Sequence, residues 1–125
     1  MLGLVLAAAA SVMVEAPTEV DGRCLYPQAF DAYRDSAILA LCDRAEIGPR
    51  GEVVFLRNDE VQMRFTGYWD GGELVVDRVI LRSGRVMDAQ GECAVSYKNA
   101  KISNVACLAN DGPLAFAANL VVTGI

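Results

Sequence analysis

The sequence predicts a mainly β fold: a small antiparallel up-and-down meander that closes into a barrel or a two-layer sandwich. Two observations carry this prediction. From Gly51 onward, short runs of β-branched and aromatic residues alternate with turn residues. Four cysteines in a chain of 125 residues that has no histidine indicate two disulfides. Successive hairpins without a long crossover favour strands that pair in sequence order.

The strand pattern is clearest in the middle of the chain. Residues 53–57 are β-branched and aromatic, Asn58-Asp59 offers a tight turn, and residues 61–68 alternate apolar and polar side chains. Asp70-Gly71 is typical of a two-residue hairpin turn, because both positions must tolerate a positive φ. The strands on either side of this turn should then pair in one register. It predicts the facing pairs Phe65–Val76, Val61–Ile80, Gly67–Leu74 and Arg64–Asp77. Further turns are predicted at 48–51, Ser83-Gly84, Asn99-Ala100 and 110–113, with a last strand over 114–122.

The cysteine positions predict which disulfides form. Suppose that the two strands flanking Asn99-Ala100 pair so that the numbers of any two facing residues add up to 200. Cys93 then faces Cys107. Directly opposed antiparallel residues have Cα atoms ~4.5–5.5 Å apart, which is within the range of a disulfide. By elimination, Cys24 pairs with Cys42. The same register also predicts the facing pairs Val95–Val105 and Tyr97–Ser103. No C-x-x-C spacing is present, so we expect no metal site and no cofactor.

The stretch before Gly51 allows two interpretations. One is a short helix over 28–33 followed by a strand over 37–47. The other is a single long helix over 26–46. The long helix would bring Asp31 and Arg34 onto the face that its apolar residues bury. We therefore favour the short helix and the strand.

The N-terminus carries the pattern of an export signal. Residues 2–14 are uncharged and apolar, and Val14-Glu15-Ala16 precedes Pro17. Such a run is typical of a cleaved signal peptide and is too short to cross a hydrocarbon core of ~30 Å. We expect a signal peptide at 1–16 and a single disulfide-stapled β domain at 17–125. An N-terminal strand is the alternative, since short apolar runs are ambiguous by pattern alone.

The net charge of the chain limits the classes of partner that we expect. The chain has a net charge of −5 at pH 7, and its two lysines, Lys98 and Lys101, do not make a basic patch. An acidic chain has no electrostatic reason to bind nucleic acid or an anionic membrane surface. We expect a periplasmic or secreted protein with no nucleic-acid partner and no membrane span in the mature chain.

Catalytic chemistry has little support in the sequence. Without histidine there is no Ser-His or Cys-His pair and no imidazole acid or base. The closest paired carboxylates are Asp43 with Glu46 and Asp70 with Glu73. Turns and outward strand faces collect such residues because they are in water, so we assign no catalytic residue.

Tyr68 and Trp69 are the candidate binding residues. They adjoin a predicted hairpin turn, and Trp69 is the only tryptophan. Tyrosine and tryptophan are favoured at recognition surfaces. The alternative, which we favour, is that Trp69 folds inward and plugs an open end of the barrel.

These observations predict an exported, non-enzymatic domain that binds a protein, a peptide or a glycan. An inhibitor of a hydrolase is the second interpretation within binding. A carboxylate-dependent hydrolase and a structural component of the envelope are the alternatives from other classes. No motif specific enough to assign a family is present.

Overall fold

The computed structural model describes residues 16–28 and 36–123, and strands make up most of that part of the chain. Neighbouring strands are antiparallel except for β3, which runs parallel to β10. The strands are β1 Thr18–Asp21, β2 Arg23–Cys24, β3 Ala37–Leu39, β4 Arg44–Gly48, β5 Glu52–Arg57, β6 Glu60–Asp70, β7 Glu73–Leu81, β8 Val86–Lys98, β9 Lys101–Asp111 and β10 Leu114–Val121.

The sheet forms a nearly closed barrel. Strands β4 to β10 pair in sequence order, which confirms the predicted antiparallel meander. The N-terminal segment joins the two ends of this meander, because β1 pairs with β4 while β2 pairs with β10. This closure makes the fold a barrel rather than a two-layer sandwich.

Two predicted segments are covered only in part. The signal peptide at 1–16 and the short helix at 28–33 lie outside the described residues except for their end residues, Ala16 and Gln28. No helix in the described part of the chain is long and apolar enough to cross a membrane.

The single strand predicted over 37–47 is two strands, β3 and β4. The intervening residues change neighbours. The amide of Ala40 bonds to the carbonyl of Ala117 in β10, whereas the carbonyl of Cys42 accepts the amide of Cys24. The break between β3 and β4 therefore occurs where the chain stops pairing with β10 and begins to pair with the N-terminal segment.

An apolar core fills the barrel. Its largest fully buried side chains are Phe55, Phe65, Phe116, Met63, Leu74 and Leu120. The Phe55 and Phe65 rings meet edge to face with centroids 5.8 Å apart. Burying one side chain of this size stabilises the fold by about 1.5–3 kcal/mol. Among the described residues, no polar or charged residue is buried.

The register between β6 and β7 differs from the prediction. The turn is Gly71-Gly72, Asp70 faces Glu73, and Phe65 faces Val79 instead of Val76. Near the turn this is a shift of two residues, which keeps Leu74 and Val76 on their predicted face, so alternation alone cannot distinguish the two registers there. Ile80 lies opposite Arg64 instead of the predicted Val61. Farther along, a bulge adds one more residue of shift.

The pairing of β8 with β9 largely follows the prediction. Cys93 faces Cys107, but a bulge after Ser96 places Tyr97 opposite Ile102 instead of Ser103. Two disulfides form as predicted, Cys93–Cys107 inside the barrel and Cys24–Cys42 where the N-terminal segment closes it. Two disulfides indicate an oxidising, extracellular-type environment.

Candidate functional site

The described interior of the barrel contains apolar side chains and no group suited to catalysis or metal binding. In the part of the chain that the structure describes, it holds no buried charged group, and no three acidic or cysteine side chains are placed to hold a metal ion. All four cysteines are in disulfides.

The paired carboxylates of the sequence lie in water or bind structural partners. Asp43 accepts a hydrogen bond of 3.1 Å from the amide of Asn58. Glu46 lies 3.6 Å from the guanidinium of Arg44. Asp70 and Glu73 face each other across the last pair of the β6–β7 hairpin, and both are exposed.

The two candidate binding residues are on opposite faces of β6. Tyr68 points outward with 60 % of its surface exposed. Trp69 is partly buried, packs against the barrel core and donates a hydrogen bond of 2.9 Å from its indole nitrogen to the carbonyl of Gly48. The structure therefore does not bring the two aromatic side chains together.

Tyr68 begins a row of outward-facing residues that crosses the sheet. Each member faces the next across a strand pair, and the row continues through Val75, Glu92, Leu108 and Ala117. Leu108 is 52 % exposed, although its neighbours in β9, Cys107 and Ala109, are buried. The row places two large apolar side chains and one carboxylate on one surface.

A groove of about 520 Å³ lies beside this row. Its floor is lined by Ala94, Ala106 and Ala117, whose short side chains leave space that larger residues would fill. Tyr26 and Pro27 line it as well. We call this surface the outer groove; it is also lined by Glu73, Glu92, Leu108 and Asn119. A second depression of about 320 Å³ shares Leu108 and Ala117 with it.

The Tyr26 wall of the groove is held firmly. Its hydroxyl donates a hydrogen bond of 2.5 Å to the carbonyl of Ala40, in the chain segment beside β10. Burial raises the pKa of Tyr26 to about 12, and hydrogen bonds with the backbone of Asn119 and Ala40 offset part of that rise. The side-chain amide of Asn119 donates a hydrogen bond of 2.8 Å to the carbonyl of Leu25. This bond holds the residues next to Tyr26 against β10.

Two carboxylates, Glu73 and Glu92, form the acidic side of the groove. Within the described residues, neither Glu73 nor Glu92 forms an ion pair. Carboxylates on β5 and in the turn between β5 and β6 do have partners. Glu52 lies 3.1 Å from Arg64. Asp59 accepts a hydrogen bond of 2.9 Å from the guanidinium of Arg44, and this bond raises the pKa of Arg44. The outer groove thus combines an apolar floor with two carboxylates that no described basic side chain neutralises.

The sequence alone does not predict this groove. Its alanines alternate along predicted strands, which is a visible signal, but they come from β8, β9 and β10. They form one floor only because the registers of these strands bring Ala94 opposite Ala106 and Leu108 opposite Ala117.

The fold and this surface define a small, disulfide-stapled antiparallel barrel with an exposed acidic and apolar groove. Comparisons of the chain with models of protein families, with curated proteins and with solved structures found no significant match.

Proposed function

We propose that the protein is an exported, non-enzymatic binding module of the periplasm or cell envelope. Its ligand is a polypeptide segment that presents apolar side chains next to Lys or Arg. The observation that carries this proposal is the outer groove, in which an alanine floor and the exposed Leu108 adjoin two carboxylates, Glu73 and Glu92, that lack an ion pair within residues 16–28 and 36–123.

The chemistry of the groove selects such a segment. Apolar side chains of the ligand gain free energy when they cover Leu108 and the alanines, because apolar surface leaves water. A cationic side chain placed between Glu73 and Glu92 meets two carboxylates that form no ion pair with any residue the structure describes. Charge complementarity of this kind contributes specificity and faster association.

Export has two supports. The disulfides Cys24–Cys42 and Cys93–Cys107 require an oxidising compartment to form and persist. The apolar N-terminal run is of the kind that a signal peptidase removes. N-terminal sequencing of protein recovered from the periplasm should begin at Pro17, and protein that begins at Met1 would contradict cleavage after Ala16.

The binding proposal is tested by selection from a displayed library of random peptides against the purified, oxidised protein. We expect enrichment of peptides in which apolar residues adjoin Lys or Arg. Affinity of an enriched peptide is then measured by calorimetry. Leu108→Arg should weaken binding roughly tenfold or more, because it places a cation where the ligand brings an apolar group. Glu92→Lys with Glu73→Lys should shift the selected peptides from basic to acidic.

Val86→Arg is the matched control. Val86 is 56 % exposed and lies on β8, but it is outside the groove. It should leave the affinity unchanged. A selection that enriches no peptide class, or a Leu108→Arg variant that binds as well as the parent, would refute the assignment of this groove.

A further inference from the structure

The β8–β9 hairpin extends beyond its neighbour β7. The pairing of β7 with β8 ends where Glu73 faces Ala94, whereas β8 continues to Lys98. No strand in the described residues pairs with β8 over residues 95–98 on that side. These four residues form an open sheet edge, which we call the β8 edge.

The backbone of this edge is oriented for pairing. Cys93 and Cys107 have Cα atoms 4.0 Å apart, the close spacing of a non-hydrogen-bonded antiparallel pair. Such pairs alternate with hydrogen-bonded ones, so Val95 opposite Val105 is also non-hydrogen-bonded. The amide and carbonyl of Val95 therefore point away from β9, toward the open side.

The tip of the hairpin is tightly turned and exposed. Asn99 and Ala100 both have positive φ, 53° and 66°. Alanine rarely adopts this conformation, since its Cβ approaches the backbone. Tyr97, next to the turn, is 65 % exposed, more than any other large hydrophobic residue described. The turn thus presents a tyrosine at the end of a rigid two-stranded ribbon.

The charge at the tip is opposite to that of the rest of the protein. The chain has a net charge of −5, and its only two lysines, Lys98 and Lys101, face each other across the hairpin. Like charges in directly opposed positions repel. Neither lysine forms an ion pair with a described carboxylate. An anionic group beside them would relieve this repulsion.

We propose that the β8 edge binds an extended acidic polypeptide segment by strand addition. The segment pairs with the backbone of residues 95–98, its carboxylates lie by Lys98 and Lys101, and Tyr97 covers one of its side chains. In strand addition, main-chain hydrogen bonds provide the affinity and contacts of the side chains provide the specificity. A second copy of the protein fits less well, because pairing two such edges would bring four lysines together. The proposal does not rest on the outer groove.

The test uses the oxidised full chain and a capped peptide in which Glu and Val alternate. Addition of this peptide should slow amide hydrogen exchange over residues 95–98. A peptide in which Lys and Val alternate should not do so. Lys98→Glu with Lys101→Glu should weaken binding of the acidic peptide by roughly tenfold or more and allow the basic peptide to bind.

The control variant is Arg82→Glu with Arg85→Glu, which makes the same change in net charge at the turn between β7 and β8. Both arginines are exposed. Among the described residues, the variant breaks one ion pair, between Arg82 and Glu60 at 3.5 Å, and both of these side chains are in solvent. It should leave binding intact, and circular dichroism checks that both double variants fold.

Three results would overturn the proposal. The first is absence of exchange protection at residues 95–98 with saturating acidic peptide. The second is equal binding of an anionic polysaccharide, which would show charge attraction without strand addition. The third is dimerisation of a Lys98→Ser, Lys101→Ser variant, in which the like charges are removed, since the lysines would then serve to keep an open edge from pairing with its copy.

Discussion

The indole nitrogen of Trp69 donates a 2.9 Å hydrogen bond to the carbonyl oxygen of Gly48, which joins the end of β6 to the turn between β4 and β5. The same carbonyl accepts the amide of Gly51 at 3.2 Å. Trp69 faces Leu74, which is fully buried, and packs against the core. One side chain thus links three strands at this end of the barrel.

Removal of the indole should destabilise the protein. We expect Trp69→Ala to lower the free energy of unfolding by about 3 kcal/mol, at the low end for aromatic core residues, because Trp69 is only partly buried. Trp69→Phe keeps most of the apolar contact and should cost about 1 kcal/mol through the lost hydrogen bond. Urea unfolding measures both. Tyr68→Ala, on the exposed face, should change stability by less than about 0.5 kcal/mol. Equal effects of Trp69→Ala and Tyr68→Ala would contradict this structure of β6.

Two strand glycines should not tolerate a side chain. A Cβ at Gly67 would lie 1.7 Å from the carbonyl oxygen of Val75, and one at Gly91 would lie 1.9 Å from that of Leu108. Both contacts are with backbone, which cannot move without disturbing the strand pairing. We expect Gly67→Ala and Gly91→Ala to destabilise the protein by more than about 2 kcal/mol.

Gly72 provides the matched control for these variants. A Cβ there meets no atom within 4 Å, and its φ is not in the left-handed region. Gly72→Ala should therefore be neutral, or stabilising by up to about 1 kcal/mol, because it restricts the unfolded chain. Thermal melts of the three variants give the comparison, and a Gly91→Ala protein as stable as Gly72→Ala would show that β8 and β9 are farther apart.

The two disulfides should respond differently to reduction. Cys93 and Cys107 are buried in the barrel, whereas Cys24 is partly exposed and, with Cys42, lines a surface depression. Under mild dithiol treatment followed by alkylation, mass spectrometry should find Cys24 and Cys42 modified first. Replacing Cys93 and Cys107 by Ala should cost about 3 kcal/mol, as expected for closure of a short loop. Peptide maps that join Cys24 to Cys93 or Cys107 would refute the pairing.

Tyr26 should make stability depend on alkaline pH. Its folded-state pKa, about 12, lies above its ordinary value of 10.0, so the folded state holds the phenolic proton more tightly than the unfolded state does. That contribution is fully present below pH 10 and is lost as the pH rises toward 12. The urea midpoint should therefore fall between pH 10 and 12 more steeply in the parent than in Tyr26→Phe. Parallel curves for the two proteins would contradict the buried hydroxyl.

The order of the strands could be predicted from the sequence because its signals are local. Alternation along residues 61–68 and the turn residues Asn58-Asp59 and Asn99-Ala100 act over a few positions, and each produces one hairpin. The Cys93–Cys107 pair followed from its position around one such turn. Alternation along β6 also places Trp69 on the face of Phe65, which is the buried face.

The tertiary structure alone decided the features that join distant parts of the chain. Near the turn, a shift of two residues between β6 and β7 leaves the alternating pattern unchanged, so local alternation does not distinguish the two registers. The closure of the barrel by β1 and β2 depends on contacts between the two ends of the chain. The outer groove exists because three strands align their alanines, and the β8 edge exists because β7 ends earlier than β8. Relative strand length and register across a sheet are set by packing, and no short segment encodes them.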